Sequence, residues 1–275
     1  MSFKPSRRWV LLILTGVLGF SLALVGCGKE LSGTITEAGS TTVQPLAELL
    51  ADGYMQKHPE VQVTIGGGGT AQGITSVNTG LVDIGAASRE LKADDPQLVK
   101  HLLARDGIAI ITSPDNPVDG LTKDEIRQIF GGIIKNWSAV GGPNAAIRVI
   151  VREEGSGTRT AFEEMVMARP EPAVQITSTA LQQNTNVGVK TYVAGNEDAI
   201  GFISFGYIDN TVKALAIDGV EATEENAKNG TYPIVRPLYF LTKEAPTGLV
   251  RQFIDFCLSA EGQATVAEEG YISIA

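Results

Sequence analysis

Residues 152–162 read Arg-Glu-Glu-Gly-Ser-Gly-Thr-Arg-Thr-Ala-Phe. Three chemistries use such residues: a nucleophilic serine between glycines, the phosphate loop of a nucleotide enzyme, and an anion receptor that makes no bonds. The nucleophile elbow G-x-S-x-G fails, because Glu154 and Thr158 stand where its outer glycines belong. His58 and His101, the only histidines, lie far apart and away from any acidic motif, so a base for Ser156 is hard to supply. No Gly-Lys-Ser/Thr follows the glycines, which removes the P-loop. The receptor fits best. Arg152 offers a permanently charged planar fork, Ser156 and Thr158 offer hydroxyls, and Gly157 lets a backbone N–H approach closely.

Such groups need elements that aim them. The apolar run 147–151 reads as a strand, and 158–168 as a helix with Phe162, Met165 and Val166 inward. The same succession recurs upstream. Strand 34–36 empties into Gly39-Ser40-Thr41-Thr42 before a helix carrying Leu46, Leu49, Leu50, Tyr54 and Met55. Strand 61–65 empties into four glycines and Thr70 before a short helix near 71–78. Strand 82–85 empties into Ala86-Ala87-Ser88-Arg89. Taken singly, each loop is equally an N-cap or a flexible turn. Together they put Gly, Ser, Thr and Arg at several helix N-termini, where free N–H groups and the dipole favour an oxyanion without a metal.

Strands alternating with helices predict a parallel α/β sheet. Further strands are expected at 107–112 and 199–203, and 235–241 leads back to the first half. A capping box at Thr122–Glu125 opens a helix with Ile126, Ile129 and Phe130, and helices near 247–259 and 262–268 close the chain. Ser113-Pro114-Asp115-Asn116-Pro117 breaks the pattern and reads as a crossing. The expectation is one α/β lobe, 34–113 with 236–275, interrupted by a second, 114–235, with a ligand cleft between them at the carboxyl ends of the strands.

The 275 residues carry a net charge of −9 and 43% hydrophobic side chains, enough for a large core and unfavourable for nucleic acid. Lys4, Arg7 and Arg8 precede an apolar stretch that ends in Leu24-Val25-Gly26-Cys27. That arrangement resembles a bacterial lipoprotein signal: 1–26 removed, lipid on Cys27, and 27–33 a linker. Cleavage would remove three cations and no acid, so an anion must be held by local groups rather than by the overall field. The other cysteine, Cys257, reads as a small buried hydrophobe. No His/Cys cluster has zinc spacing, and no cofactor is expected.

The chain resembles the phosphate-binding proteins of bacterial Pst-type ABC transporters. The likeness is carried by Ala38–Leu46, Val82–Leu91, the Arg-x-x-x-Ser-Gly-Thr run at 152–158 and Asp198–Ser204, and spans 34–275. It implies a two-lobed type II periplasmic-binding-protein (Venus-flytrap) fold, no enzyme activity, inorganic phosphate in the cleft, permease subunits as partners, and a monomer lipid-anchored outside the cytoplasm. By position, Thr41 and Thr42 bind through backbone N–H and hydroxyl with Ser40 beside them, and Arg152 pairs with the anion. Ser156, Gly157 and Thr158 donate from the helix end. Gly67, Thr70 and Ser88 complete the set, with Arg89 and Arg159 as helpers that lean towards structural ion pairs.

Two positions depart from the family pattern. Many relatives have a serine at Gly67. Some have an aspartate at Ser88, where a carboxylate accepts the P–OH proton and repels sulfate. Asp83, Glu153 and Glu154 are the candidate substitutes. The alternatives kept open are an oxyanion sensor or adhesion lipoprotein of the same fold and, behind it, a serine hydrolase.

Overall fold

The computed structural model describes residues 32–168 and 171–275. The expected signal segment and Cys27 lie outside the described residues. Its first elements are β1 (Gly33–Gly39), α1 (Gln44–Lys57), β2 (Val61–Gly66), α2 (Thr70–Thr79), β3 (Ile84–Ala87) and β4 (Val99–Thr112). Next come β5 (Gly120–Leu121), α3 (Lys123–Phe130), β6 (Arg148–Arg152), α4 (Gly157–Phe162) continued by a π turn (Glu163–Met167), β7 (Leu181–Gln183) and α5 (Asn186–Ala194). The chain closes with β8 (Ala199–Ser204), β9 (Lys213–Ala214), β10 (Ala216–Ile217), α6 (Glu224–Lys228), β11 (Val235–Thr242), α7 (Gly248–Cys257) and α8 (Ala260–Glu268).

Local sequence accounts for the elements that position the loops. Pro45 in the first turn of α1 presets its backbone, and Leu46, Ala47, Leu50, Ala51 and Tyr54 form the buried stripe. At α3, Thr122 accepts from the Glu125 N–H while the Glu125 carboxylate accepts from the Thr122 N–H, the reciprocal cap read from sequence. Gly39 allows β1 to pass close to β3. A Cβ there would lie 2.4 Å from the Ala86 carbonyl oxygen, and its φ of +147° also favours glycine.

The main sheet runs β2-β1-β3-β11-β4-β8-β6-β7. As expected, β1 is parallel to β2 and β3, and β6 to β8; β7, a short strand not read from sequence, also pairs parallel with β6. β4 is longer than its apolar run predicts. Its polar first half, which includes Lys100, His101 and Arg105, is held by an antiparallel ladder with β11. Its apolar second half, Ile108–Thr112, pairs with β8 instead. The ladder overrides a stretch without clear periodicity. β3 likewise starts two residues later than its pattern suggests, because Asp83 is spent on Thr36.

The core follows the same division. One buried cluster gathers Ile35, Leu46, Leu50, Ala104, Leu238, Phe240, Phe253 and Cys257. Another gathers Ile108–Ile111, Phe130, Trp137, Phe162, Phe202 and Ile234. Packing therefore changes hands between Ala104 and Ile108 on β4 and between Ile234 and Leu238 around β11. Two packed halves are joined there.

Glu37 is an exception to the apolar core. It is 2% exposed on β1, and neither carboxylate oxygen has a hydrogen-bond partner among the described residues. Burial pushes its carboxyl well above the ordinary value, and Glu48 pushes it further. A raised folded-state pKa means that folding retains a proton. Its share of stability is complete below the unfolded value of about 4.3 and is lost as pH rises through the raised one. Glu37→Gln is therefore expected to flatten the fall in melting temperature between pH 5 and 8. Parallel slopes for the two proteins in thermal unfolding would contradict this.

Candidate functional site

The four loops named from sequence converge. Thr42, from the loop after β1, meets Thr158 of α4, with 3.0 Å between the two hydroxyl oxygens. The Ala71 N–H of α2 donates to the Gly155 carbonyl at 3.1 Å. A Cβ on Gly157 would lie 2.4 Å from Thr70 Oγ1 and 2.5 Å from Ser88 Oγ, so the α4 backbone sits directly on the ends of β2 and β3. Only glycine permits that approach. Ser88 donates its N–H to Thr70 Oγ1 at 3.1 Å. Ser40, Thr42, Thr70, Ser88, Ser156 and Thr158 are all buried.

Arg152, at the end of β6, is 1% exposed. Its Nε and Nη2 grip Glu153 at 2.8 and 2.9 Å, and Nη2 also reaches Thr41 Oγ1 at 3.0 Å and the Asn184 carbonyl at 3.2 Å. Nη1 is buried without a partner among the described residues. A guanidinium donor in that position is costly unless an anion meets it. Tyr207 donates to the Thr41 carbonyl at 2.6 Å. Burial pushes its phenol up to about 12, so it remains a donor.

The remaining residues named from sequence have narrower places. Ser156 caps α4 by accepting from the Arg159 N–H, which occupies its oxygen as a cap; neither His58, at the end of α1, nor His101, bonded to Thr242, is its partner. Arg89 pairs with Asp95, and Arg159 with Glu163, so both helpers are held in ion pairs. A Cβ on Gly67 would meet Gln44 Oε1 at 2.7 Å, and Gln44 thus takes the space a serine would need. Among the candidate proton acceptors, Asp83 is bound to Thr36 and Glu154 is exposed. Glu153 lies at the loops, its Oε1 3.4 Å from where a Cβ of Gly69 would stand.

Sequence reading missed the buried cation that ties the sheet together. Arg236 of β11 stands opposite Asp106 of β4 in the ladder. Nε and Nη2 bind Asp106 Oδ2 at 3.1 and 2.8 Å, Nη1 donates to the Ser88 carbonyl, and Nη2 also reaches Thr42 Oγ1 at 3.2 Å. Asp106 Oδ1 accepts from Ser204 Oγ and the Phe205 N–H. Burial pushes the Asp106 carboxyl up, and Arg236 with the two donors draws it back. Asn186, which donates to Thr42 at 3.0 Å, was missed too. Its helix α5, with three Val and one Gly in nine residues, has weak helical propensity and little amphipathic contrast. The available signal was Thr185, whose hydroxyl caps the Gly188 N–H, followed by buried Val189 and Val193 at i,i+4.

Hydroxyls, helix starts and a buried guanidinium between two α/β lobes define a solute-binding protein for an anion, not an enzyme. A profile of the PBP superfamily domain matches residues 28–261. The phosphate-binding protein PstS of Bacillus subtilis is 36% identical over 252 residues, 90% of this chain and 82% of that one. A crystal structure of a putative phosphate ABC transporter substrate-binding protein from Clostridium perfringens, with bound phosphate, superposes with a TM-score of 0.85. It is 42% identical and covers 88% of this chain and all of that one. An ABC-type phosphate transport receptor from Vibrio cholerae gives 0.73 at 37% identity, over 86% and 99% of the two chains. The chain belongs to the PBP superfamily, in the branch of the PstS proteins. Its fold is the two-lobed periplasmic-binding-protein fold expected from sequence.

Removing one member of the Asp106–Arg236 pair leaves the other charge buried alone. Arg236→Met is expected to cost about 3–5 kcal/mol in urea unfolding, and adding Asp106→Leu to return much of it. A loss below about 1 kcal/mol would mean the pair is dispensable to the fold.

Proposed function

We propose that this protein captures inorganic phosphate between its two lobes and delivers it to the permease subunits of an ABC transporter. The observation that carries the reading is Arg152 Nη1, a buried guanidinium donor without a partner among the described residues, on a side chain whose Nη2 reaches the Thr41 hydroxyl. It is supported by the phosphate bound in the Clostridium perfringens relative. In this reading Thr41, Gly67, Thr70 and Ser88 serve the anion from one side, with Ser40 and Thr42 behind them, since the Thr42 N–H donates to Ser40 Oγ and its hydroxyl meets Thr158. Arg152, Ser156, Gly157 and Thr158 serve it from the other. In this reading the hinge passes through Asp106 and Arg236, where the core changes hands, so Ile108–Thr112 go with the second lobe rather than with the first, in which the boundaries expected from sequence (34–113 with 236–275, and 114–235) place them. A monomer held by lipid on Cys27 outside the cytoplasm completes the proposal.

Selectivity over sulfate needs an acceptor for the proton that phosphate keeps near neutral pH. Ser88 can accept it but repels sulfate weakly. Glu153 supplies the nearby negative charge, partly neutralised by Arg152. The site therefore discriminates through a paired carboxylate rather than a bare one.

Calorimetry on a soluble chain starting after Cys27 tests the reading. One phosphate per chain is expected to bind, and Arg152→Met to weaken it by at least about 30-fold, the effect of stripping a desolvated charge from its partner. Undiminished affinity in that variant would move the site elsewhere. Sulfate binding as tight as phosphate would make the protein a general oxyanion receptor.

A further inference from the structure

Thr42 Oγ1 has three neighbours: Asn186 Nδ2 at 3.0 Å, Arg236 Nη2 at 3.2 Å and Thr158 Oγ1 at 3.0 Å. The first two can only donate. The orientation of the Asn186 amide is fixed independently, because the Ser204 N–H donates to its Oδ1 at 3.4 Å and a backbone N–H cannot accept. Both lone pairs of Thr42 Oγ1 are therefore engaged. Its single proton is left for Thr158, which must accept it.

The consequence falls on Thr158. Having accepted from Thr42, its hydroxyl keeps its own proton for another acceptor. We propose that Asn186 and Arg236 are positioning residues that set the direction of this hydroxyl chain, so that Thr158 meets the bound anion as a donor. The inference rests on the phosphate reading above and adds to it two residues that need not touch the ligand. Thr42 then acts chiefly through Thr158, since its own hydroxyl is already engaged.

The direction is held from both halves of the molecule. Asn186 opens α5 and is bonded to Ser204 at the end of β8. Arg236 is clamped to Asp106, whose other oxygen accepts from the Ser204 hydroxyl. The same Ser204 thus fixes both groups that donate to Thr42, through its N–H and its hydroxyl. Without the Asn186 donor, Thr42 regains a free lone pair. Thr158 can then turn its proton to Thr42 and present a lone pair to the anion.

A double-mutant cycle on phosphate affinity separates this role from a structural one. Asn186→Ala is expected to weaken phosphate binding about tenfold in the otherwise unchanged chain, the scale of one misdirected buried hydrogen bond. In a Thr158→Val background, with no hydroxyl left to orient, the same change is expected to cost less than about twofold. Thermal unfolding of each variant checks that it is folded, and Asn186→Leu, which keeps the volume, replaces Asn186→Ala in the cycle if that variant does not fold. Equal losses in both backgrounds would overturn the positioning role while leaving the phosphate site standing. No phosphate binding by the unaltered protein would overturn the phosphate reading and this inference with it.

Discussion

A guanidinium removed from water must find its compensation within a few ångströms, and the centre of this molecule is organised around that requirement. Arg236 is 2% exposed and Asp106 fully buried, and the two face each other in the ladder between β4 and β11. Their contact alone does not offset the desolvation of both charges. The remaining valences are filled by the Ser88 carbonyl, the Thr42 hydroxyl, the Ser204 hydroxyl and the Phe205 N–H. Those four groups come from the loop after β3, the loop after β1 and the end of β8. Satisfying one ion pair therefore fixes the ends of three strands, and the anion loops hang from those ends.

Arg152 answers the same requirement differently. Glu153 covers one edge of its guanidinium, and Thr41 and the Asn184 carbonyl share Nη2. Nη1 is left over. Every nitrogen of Arg236 has a partner and ties the scaffold together, whereas Arg152 keeps one nitrogen open among the described residues. The chain as a whole bears −9 charges, so its long-range field repels an anion. Attraction must come from short-range groups: helix starts, hydroxyls and one partly compensated cation. An acidic exterior and an anion-binding interior are compatible because a Debye length of about 8 Å at physiological salt screens the former while burial preserves the latter.

Legibility in the sequence follows from how local each signal is. The capping box at Thr122, the Pro45 start of α1 and the glycine-serine-threonine loops are encoded within a few residues, and they were readable. The role of Arg159 was readable in outline, because a cation in the first turn of a helix needs an acid nearby. Asp106 and Arg236 were not readable. They are 130 residues apart and sit in segments with no period of their own, and only the antiparallel register of β4 and β11 brings them together. Asn186 was missed for a related reason: α5 is held by its cap and by burial against β8, not by helical propensity. The Gly67 departure looked like a lost donor from sequence. In three dimensions Gln44 fills the space a serine would require.

The replacement of an acid by Ser88 changes how such a site reads its ligand. A carboxylate declares its preference through charge, whatever its surroundings. A hydroxyl is ambiguous, since it donates or accepts according to what its neighbours leave open. The hydroxyl pairs Thr42–Thr158 and Thr70–Ser88 therefore have no fixed polarity until something removes the ambiguity. Obligate donors do that for the first pair: a guanidinium and an amide take both lone pairs of Thr42 and dictate the sense of the next hydroxyl. For the second, the Ser88 N–H takes one lone pair of Thr70 in the same way. Recognition of a tetrahedral oxyanion then depends less on which hydroxyls line the cleft than on the groups behind them. Those groups are anchored where the two halves of the fold are joined, so the polarity of the site and the geometry of the hinge are set by the same contacts.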